Sequence, residues 1–350
     1  MQRSWNRSTA AFATALFTSL AASSAPVAQS ASSSRDEADF FRQKTIRLVV
    51  GYGTGGGFDA YARMIAPYVG RKLEATVLVE NMPGAGGLIA LNRTAASPPD
   101  GLTMQLANGT GAILSQLIES KAARYDVLAL GHLGTVSSSP WMWMVGPNSP
   151  IRTLSDATRP GVKLTWAGGG PTDGLSDGAA FTCEALKLSC RIVLGYKGSN
   201  DAALAVMRGE MDAIYVSETS AHTYATTGGA RPVMVMGRAR SRHFPQTPSV
   251  FDVAELDAPA RWLLEFRTAL DELGRILVVP PHMPPRRLAA LQAAVAAALA
   301  DPALIAEGAR TQRHIGFIDA VRTRRNVEKV LAEPSSAQRA EIRALIDKAQ

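Results

Sequence analysis

The chain has 350 residues, enough for two domains with separate cores. Its 46% hydrophobic and 19% charged residues exclude a disordered chain. With only 6% aromatics and no Lys/Arg run, the net charge of +7 reads as a scattered basic surface and not as a nucleic-acid footprint.

Arg3 and Arg7 precede an uncharged apolar stretch over 9–22, and small residues follow as far as 34. That order predicts an export signal within 1–31, cut between 24 and 31, where Ser24, Ala25, Ala28 and Ala31 all qualify. Its apolar part is short for a bilayer span. The mature protein is therefore expected to be soluble and periplasmic.

In chain order, an apolar β-branched run at 46–50 reads as a buried strand. Gly51, Gly53, Gly55, Gly56 and Gly57 strip the next loop of side chains, and 60–66 follow with helical spacing. Such a junction leaves N–H groups at a helix start pointing outward, which makes an anion site. A second strand over 75–80, a glycine-rich turn over 81–87 and a helix over 88–96 come next. A turn at 98–101 leads into a strand over 102–107, the Asn108-Gly109-Thr110-Gly111 loop and a helix over 112–120. A strand over 128–133 ends in a loop at 134–139 that includes Ser138, and 141–145 read as an extended segment leaving the first domain.

The pattern then restarts. A strand over 162–167, a glycine loop at 168–174 and a helix over 175–188 are followed by strands at 191–194, 211–216 and 231–236, with a helix over 201–209. After Pro248 the chain is helical, with helices over 284–300, 302–310 and 335–349, and 277–279 as a strand returning to the first sheet. The βαβα alternation predicts an α/β fold of mostly parallel sheets, with loops at the carboxyl ends of strands facing a cleft. The expected division is 40–143 with about 259–350 as one domain and about 144–258 as the other.

Cys183 and Cys190 bracket a helix-to-strand loop. In an oxidising compartment they can close it as a disulfide, the alternative being two buried thiols. The histidines at 132, 222, 243, 282 and 314 are isolated in sequence, so no metal site is expected.

Gly51-x-Gly53-x-x-Gly56 matches a dinucleotide fingerprint, with Glu80 ending the next strand, but an exported chain has no free nicotinamide cofactor to bind. No cofactor is expected. Ser176 stands in a Gly-x-Ser-x-Gly match, displaced from the strand end that a nucleophile elbow needs. A secreted hydrolase at Ser176 or a dinucleotide-dependent reductase is thus the rival class. Asp59 and Asp173 follow the two glycine loops as helix caps or as carboxylates facing the cleft. Tyr52 and Tyr196 occupy equivalent places in the two halves, where their phenols are expected to reach into the cleft as ligand contacts, packing at the loop base being the alternative.

Laid out this way, the chain resembles the substrate-binding proteins of tripartite tricarboxylate transporters, the Bug-type periplasmic family, as a divergent branch. The matching stretches are 46–63, 79–87, 99–101, 195–199 with 208–212, 244–249, and 274–281 with 284–288. The resemblance implies a two-domain Venus-flytrap fold, periplasmic binding protein type II, that captures a small carboxylate without enzymatic turnover and docks as a monomer onto membrane permease subunits. A ligand-sensing accessory role is the alternative within that reading. It also implies ligand contacts from Thr54, Gly55, Gly56 and Gly57, from Asn108, Gly109 and Thr110, from Gly169, Gly170 and Asp173, and from Ser217.

Overall fold

The computed structural model describes residues 39–348, so the expected export signal lies outside the described residues. In chain order the first elements are β1 (Thr45–Val50), α1 (Gly57–Leu73), β2 (Thr76–Asn81), α2 (Leu88–Ala95), β3 (Thr103–Ala107), α3 (Gly109–Leu117) and β4 (Gly131–Ser137). The second series is β5 (Trp141–Val145), α4 (Leu154–Ala157), β6 (Leu164–Ala167), α5 (Gly174–Ala185), β7 (Cys190–Val193), α6 (Ser199–Met207), β8 (Ala213–Ser217), α7 (Glu218–Gly228) and β9 (Arg231–Val235). The chain closes with α8 (Val250–Val253), α9 (Ala258–Asp271), β10 (Arg275–Val279), α10 (Pro285–Leu299), α11 (Pro302–Arg310), α12 (Ala320–Ala332) and α13 (Ser336–Lys348).

Two five-stranded sheets result, ordered β2-β1-β3-β10-β4 and β7-β6-β8-β5-β9. Within the first, β1 pairs parallel with β2 and β3, while β10 is antiparallel to β3 and β4. Within the second, β6 pairs parallel with β7 and β8, while β5 is antiparallel to β8 and β9. The reversed strands have a topological cause. β4 ends at the carboxyl edge of the first sheet, and a chain leaving that edge enters the second sheet at its own carboxyl edge and must run backwards. β10 makes the return journey under the same constraint. The first residues of the two reversed strands, Trp141 and Arg275, therefore stand at the edges that face the cleft.

The chain passes between the sheets at residues 138–140, ahead of the expected 143. Trp141–Val145 is a central strand and not a linker: Trp141, Trp143 and Val145 join one buried cluster, and Met142 and Met144 the other. Both faces are covered, which is why the run shows no polar alternation. The strand expected at 128–133 starts later, because Asp126 turns the chain by accepting from Leu128 N–H, and Gln116 Oε1 holds Val127 N–H. The carboxy-terminal helices serve both halves, since α9 and α13 pack on α5 while α10 and α12 pack on β4. Cys183 and Cys190 form a disulfide between the end of α5 and β7. Two histidines that look isolated in sequence, His222 and His243, stack with ring centroids 4.5 Å apart.

Candidate ligand-binding site

Where the two sheets face each other, a small cavity of about 30 Å³ is lined by Tyr52, Gly56, Gly57, Phe58, Trp141, Gly174, Leu175, Ser199, Val216, Ser217, Ser220 and Arg275. Four helices begin on it: α1, α5, α6 and α7. Three of them have no side-chain cap, since Gly56, Gly198 and Ser217 at their N-caps bond none of the helix N–H groups through a side chain. Away from the cavity, α4, α9, α11 and α12 are capped by Thr153, Asp257, Asp301 and Asp319, while α2 and α10, which start on Gly87 and Pro284, also have no side-chain cap. The uncapped starts leave N–H groups and the positive ends of three helix dipoles directed at one small space.

Arg275 completes the anion-attracting side. It is 4% exposed, and its Nη2 donates to Ser217 Oγ at 3.0 Å, while its Nε has no partner. The guanidinium lies over the rings of Phe58 and Tyr61, 5.3 and 4.6 Å from their centroids. Among the described residues no carboxylate pairs with it, and burial pulls its pKa down, as expected for a cation short of a counter-charge. Gly57 is the residue that lets it approach, for a Cβ there would stand 2.9 Å from Ser220 Oγ and 3.2 Å from Arg275 Nη2.

The cleft is closed at its lips. Gly53 N–H donates to the carbonyl of Lys197 across the two halves, at 2.9 Å. Ser115 and Thr172 share a hydrogen bond of 2.6 Å. A Cβ on Gly170 would lie 2.5 Å from Gly86 N, so the 84–87 turn and the 168–173 loop touch backbone to backbone.

Of the residues singled out in the sequence, Tyr52, Gly56, Gly57 and Ser217 line this cavity. Tyr52 does so with its ring, stacked on Phe58 at 4.6 Å, because its hydroxyl donates to Gly86 O and accepts from Asn108 Nδ2. Thr54 and Gly55 are exposed and off the cavity wall. Asp59 is turned away from it, accepting from Gly55 N–H at 3.0 Å and pairing with Arg63 at 2.9 Å. Burial pushes the Asp59 pKa up, but the Arg63 and Gly55 hydrogen bonds outweigh it and leave the group below its usual value.

Asn108 caps α3, Thr110 Oγ1 donates to Leu270 O, and Gly109 lies so close to Leu273 O that a Cβ would be 2.2 Å away, so this loop joins α9 and not the cavity. Gly170 belongs to the closing surface, Gly169 packs within its own half against Asp173 and the Tyr196 carbonyl, and Asp173 is wholly buried as the cap of α5. Tyr196 is half-buried beside the lip, and Ser138 lines a separate cleft with Arg238, Arg242 and His314. Ser176 Oγ packs on Gly168 with no hydrogen-bond partner, so no base addresses it. Among the described residues no group of three metal-ligating side chains occurs.

Behind the Trp141 wall is a buried ionic cluster. Arg267 bonds Asp177 at 2.7 Å and also Asp271, and Tyr215 OH reaches Asp271 at 3.3 Å. Burial pushes Asp177 up to about 7 against the pull of Arg267, with Asp173 and Asp271 adding to the rise; Asp271 is pushed up to about 6. Trp141 stacks on Tyr215 at 5.2 Å, and the Arg267 guanidinium is 5.6 Å from the Trp141 ring.

The lining residues missed in the sequence are Phe58, Trp141, Gly174, Leu175, Ser199, Val216, Ser220 and Arg275. Arg275 carried a legible signal: a lone arginine opening an apolar strand after Leu-Gly.

Comparison with known proteins agrees with this architecture. A UPF0065 protein in the gbd 5' region of Cupriavidus necator is 29% identical over 240 residues, which are 66% of this chain and 71% of that protein. The malate-bound MatC of Rhodopseudomonas palustris superimposes with a TM-score of 0.71 at 19% identity, over 87% of this chain and 99% of that one. The adipate-bound R. palustris Rpa4515 gives 0.72 at 18% identity, over 86% and 97%. These folds share the periplasmic binding protein type II arrangement of two α/β domains. The profile of the tripartite tricarboxylate transporter family receptor matches residues 61–315, through both sheets, and the chain accordingly belongs to that family of solute-binding receptors, which are not enzymes.

Proposed function

We propose that the protein captures a small organic carboxylate in the cleft and presents it to the membrane permease subunits of a tripartite tricarboxylate transporter, working as an exported, periplasmic monomer. The observation that carries this reading is Arg275, buried among three uncapped helix starts with no carboxylate among the described residues to balance it. A ligand carboxylate supplies that counter-charge. It accepts from the guanidinium and from N–H groups at the starts of α1, α6 and α7, while Ser199, Ser217 and Ser220 offer hydroxyls around it. Closing the lips removes water and strengthens each of these bonds. The bound malate and adipate of two proteins with the same fold are in keeping with a carboxylate as ligand.

The test is a thermal-shift screen of dicarboxylates, aromatic acids and amino acids against the wild type and Arg275→Gln. Ligand binding raises Tm by mass action. At least one acid stabilises the wild type, and the variant, folded by circular dichroism, loses that gain. Removing one partner of a buried charge pair costs about 2–5 kcal/mol, so the Kd rises by about thirtyfold or more. Equal gains in both proteins would remove Arg275 from the site.

A further inference from the structure

The cavity offers one cation among uncharged groups. Arg275 stands with the hydroxyls of Ser199, Ser217 and Ser220 and the three uncapped helix starts. Of all the lining residues, Arg275 is the one with a charged side chain. The remaining wall is Phe58, Trp141, Leu175 and Val216. The fourth helix start, that of α5, is already occupied by a carboxylate of the chain itself, since Asp173 accepts from Ser176 N–H at 2.8 Å.

Behind that same wall, Asp173, Asp177 and Asp271 are buried together with a single guanidinium, that of Arg267. They sit directly behind the lining residues: Tyr215, which stacks on Trp141, bonds Asp271, and Asp173 caps the helix that carries Leu175. A negative charge placed beside Trp141 and Leu175 would lose its hydration and find no cation, and above pH ~7, where Asp177 and Asp271 are ionised, it would also face carboxylates that outnumber the one guanidinium.

We infer that the site selects monocarboxylates with an apolar body and discriminates against acids carrying a second carboxylate. This rests on the carboxylate reading of Arg275 and goes beyond it by naming the substrate class. The acid group seats on Arg275 and the helix starts, and the hydrocarbon or aromatic body lies against Trp141, Leu175, Val216 and the Phe58 ring. Specificity here comes as much from the repulsive wall as from the attractive one.

The experiment is isothermal titration of the mature full-length protein with matched acids, hexanoate against adipate and benzoate against terephthalate, at a pH where every carboxyl is ionised. Each monoacid binds more tightly than its diacid by about tenfold or more, the equivalent of one unfavourable buried charge contact. A diacid that binds within about threefold of its monoacid, or more tightly, overturns the inference. Repeating the titration on Arg275→Gln separates the two levels. Diacid binding that is lost in this variant sinks the monocarboxylate inference and leaves the carboxylate receptor standing. No binding of any of the four acids, or binding that survives the substitution unchanged, sinks both. Asp173→Asn keeps a capping side chain on α5 while removing its charge, and it narrows the monoacid–diacid gap. A gap left at its wild-type size overturns the assignment of the repulsion to the aspartates behind the wall.

Discussion

Two glycine loops, 51–57 and 168–174, look alike in sequence and end in opposite roles. Each leaves the carboxyl end of a strand and enters a helix. The first ends on Gly56, extended at φ −75° and ψ 173°, with no side chain to bond the N–H groups of α1. The second ends on Asp173, whose carboxylate takes the Ser176 N–H and is sealed from water. One loop leaves an anion site open, and the other fills its own with an aspartate and becomes the surface on which the halves close. The residue at the N-cap, and not the number of glycines before it, decides whether such a junction receives a ligand.

The comparison is broken most severely at the closing surface. Gly170→Ala places a Cβ 2.5 Å from Gly86 N and 2.6 Å from the Ala85 carbonyl carbon, both backbone atoms that have no rotamer to yield. The halves then cannot reach their present contact, and the ligand must bind an open cleft. Affinity for hexanoate is expected to fall by about a hundredfold, as for a site whose competent state is populated in about one molecule in a hundred. Small-angle scattering checks the cause: the radius of gyration shrinks on ligand addition in the wild type and stays fixed in the variant.

Next in size is the open loop itself. Gly57→Ala meets the ends of two side chains, Ser220 Oγ and Arg275 Nη2, which can give way by rotating. Hexanoate affinity is expected to drop by about tenfold with Tm nearly unchanged, since the displaced groups are site residues and the cost of overpacking is modest when the neighbours are mobile. Titration calorimetry with a parallel thermal melt distinguishes this from general destabilisation.

How far the sequence could anticipate all this follows from the range over which each signal acts. The strand–loop–helix junctions are local, so β1 with its glycines and the restart at β6 were legible. The antiparallel course of β5 and β10 is a consequence of the chain moving between sheets, which no window of neighbouring residues contains. Trp141 and Arg275 face the cleft for that reason alone, and so one read as part of a linker and the other as a motif residue. The helix α7, with Ser220 in its first turn, was hidden differently. Its run of Thr, Ser and Gly has weak helical preference, and Thr223, Thr226 and Thr227 return their hydroxyls to carbonyls one turn back. Tertiary packing of α7 on β8, β5 and α6 makes the helix, and packing is invisible to propensity.

The buried aspartates behind the second loop supply a pH signature that the first loop lacks. Asp177, pushed up to about 7, and Asp271, pushed up to about 6, hold protons more tightly in the folded chain than in the unfolded one. Unfolding therefore releases the protons of these two groups between pH ~4 and ~7, so the stability they contribute declines as pH rises through that window and levels off above it. Asp59 acts with the opposite sign, because its lowered pKa gives stability that is present above the usual carboxylate value and lost on acidification. His132, His243 and His314, held below the usual imidazole value mainly by burial, also give stability that is lost on acidification, and so oppose the two aspartates below pH ~6.5. Asp177→Asn flattens the decline toward neutral pH; an unchanged slope would take Asp177 out of the account.

The smallest expected effect lies at the tip of the first loop and sharpens the comparison most finely. Thr54 stands in the middle of the glycines, one residue from Gly53, whose N–H bonds Lys197 O across the cleft. Its own side chain is exposed and off the cavity wall. What holds the loop in shape is Asp59 accepting the Gly55 N–H, together with Asn81 Nδ2 donating to Tyr52 O, and neither bond involves Thr54. Thr54→Ala should thus leave hexanoate affinity within about twofold and Tm within the ordinary range of a surface substitution, about 0.5 kcal/mol. A loss as large as that of Gly57→Ala would mean that ligand contact reaches outward from the helix start to the loop tip, and that the N-cap is only one part of what makes the first loop receptive.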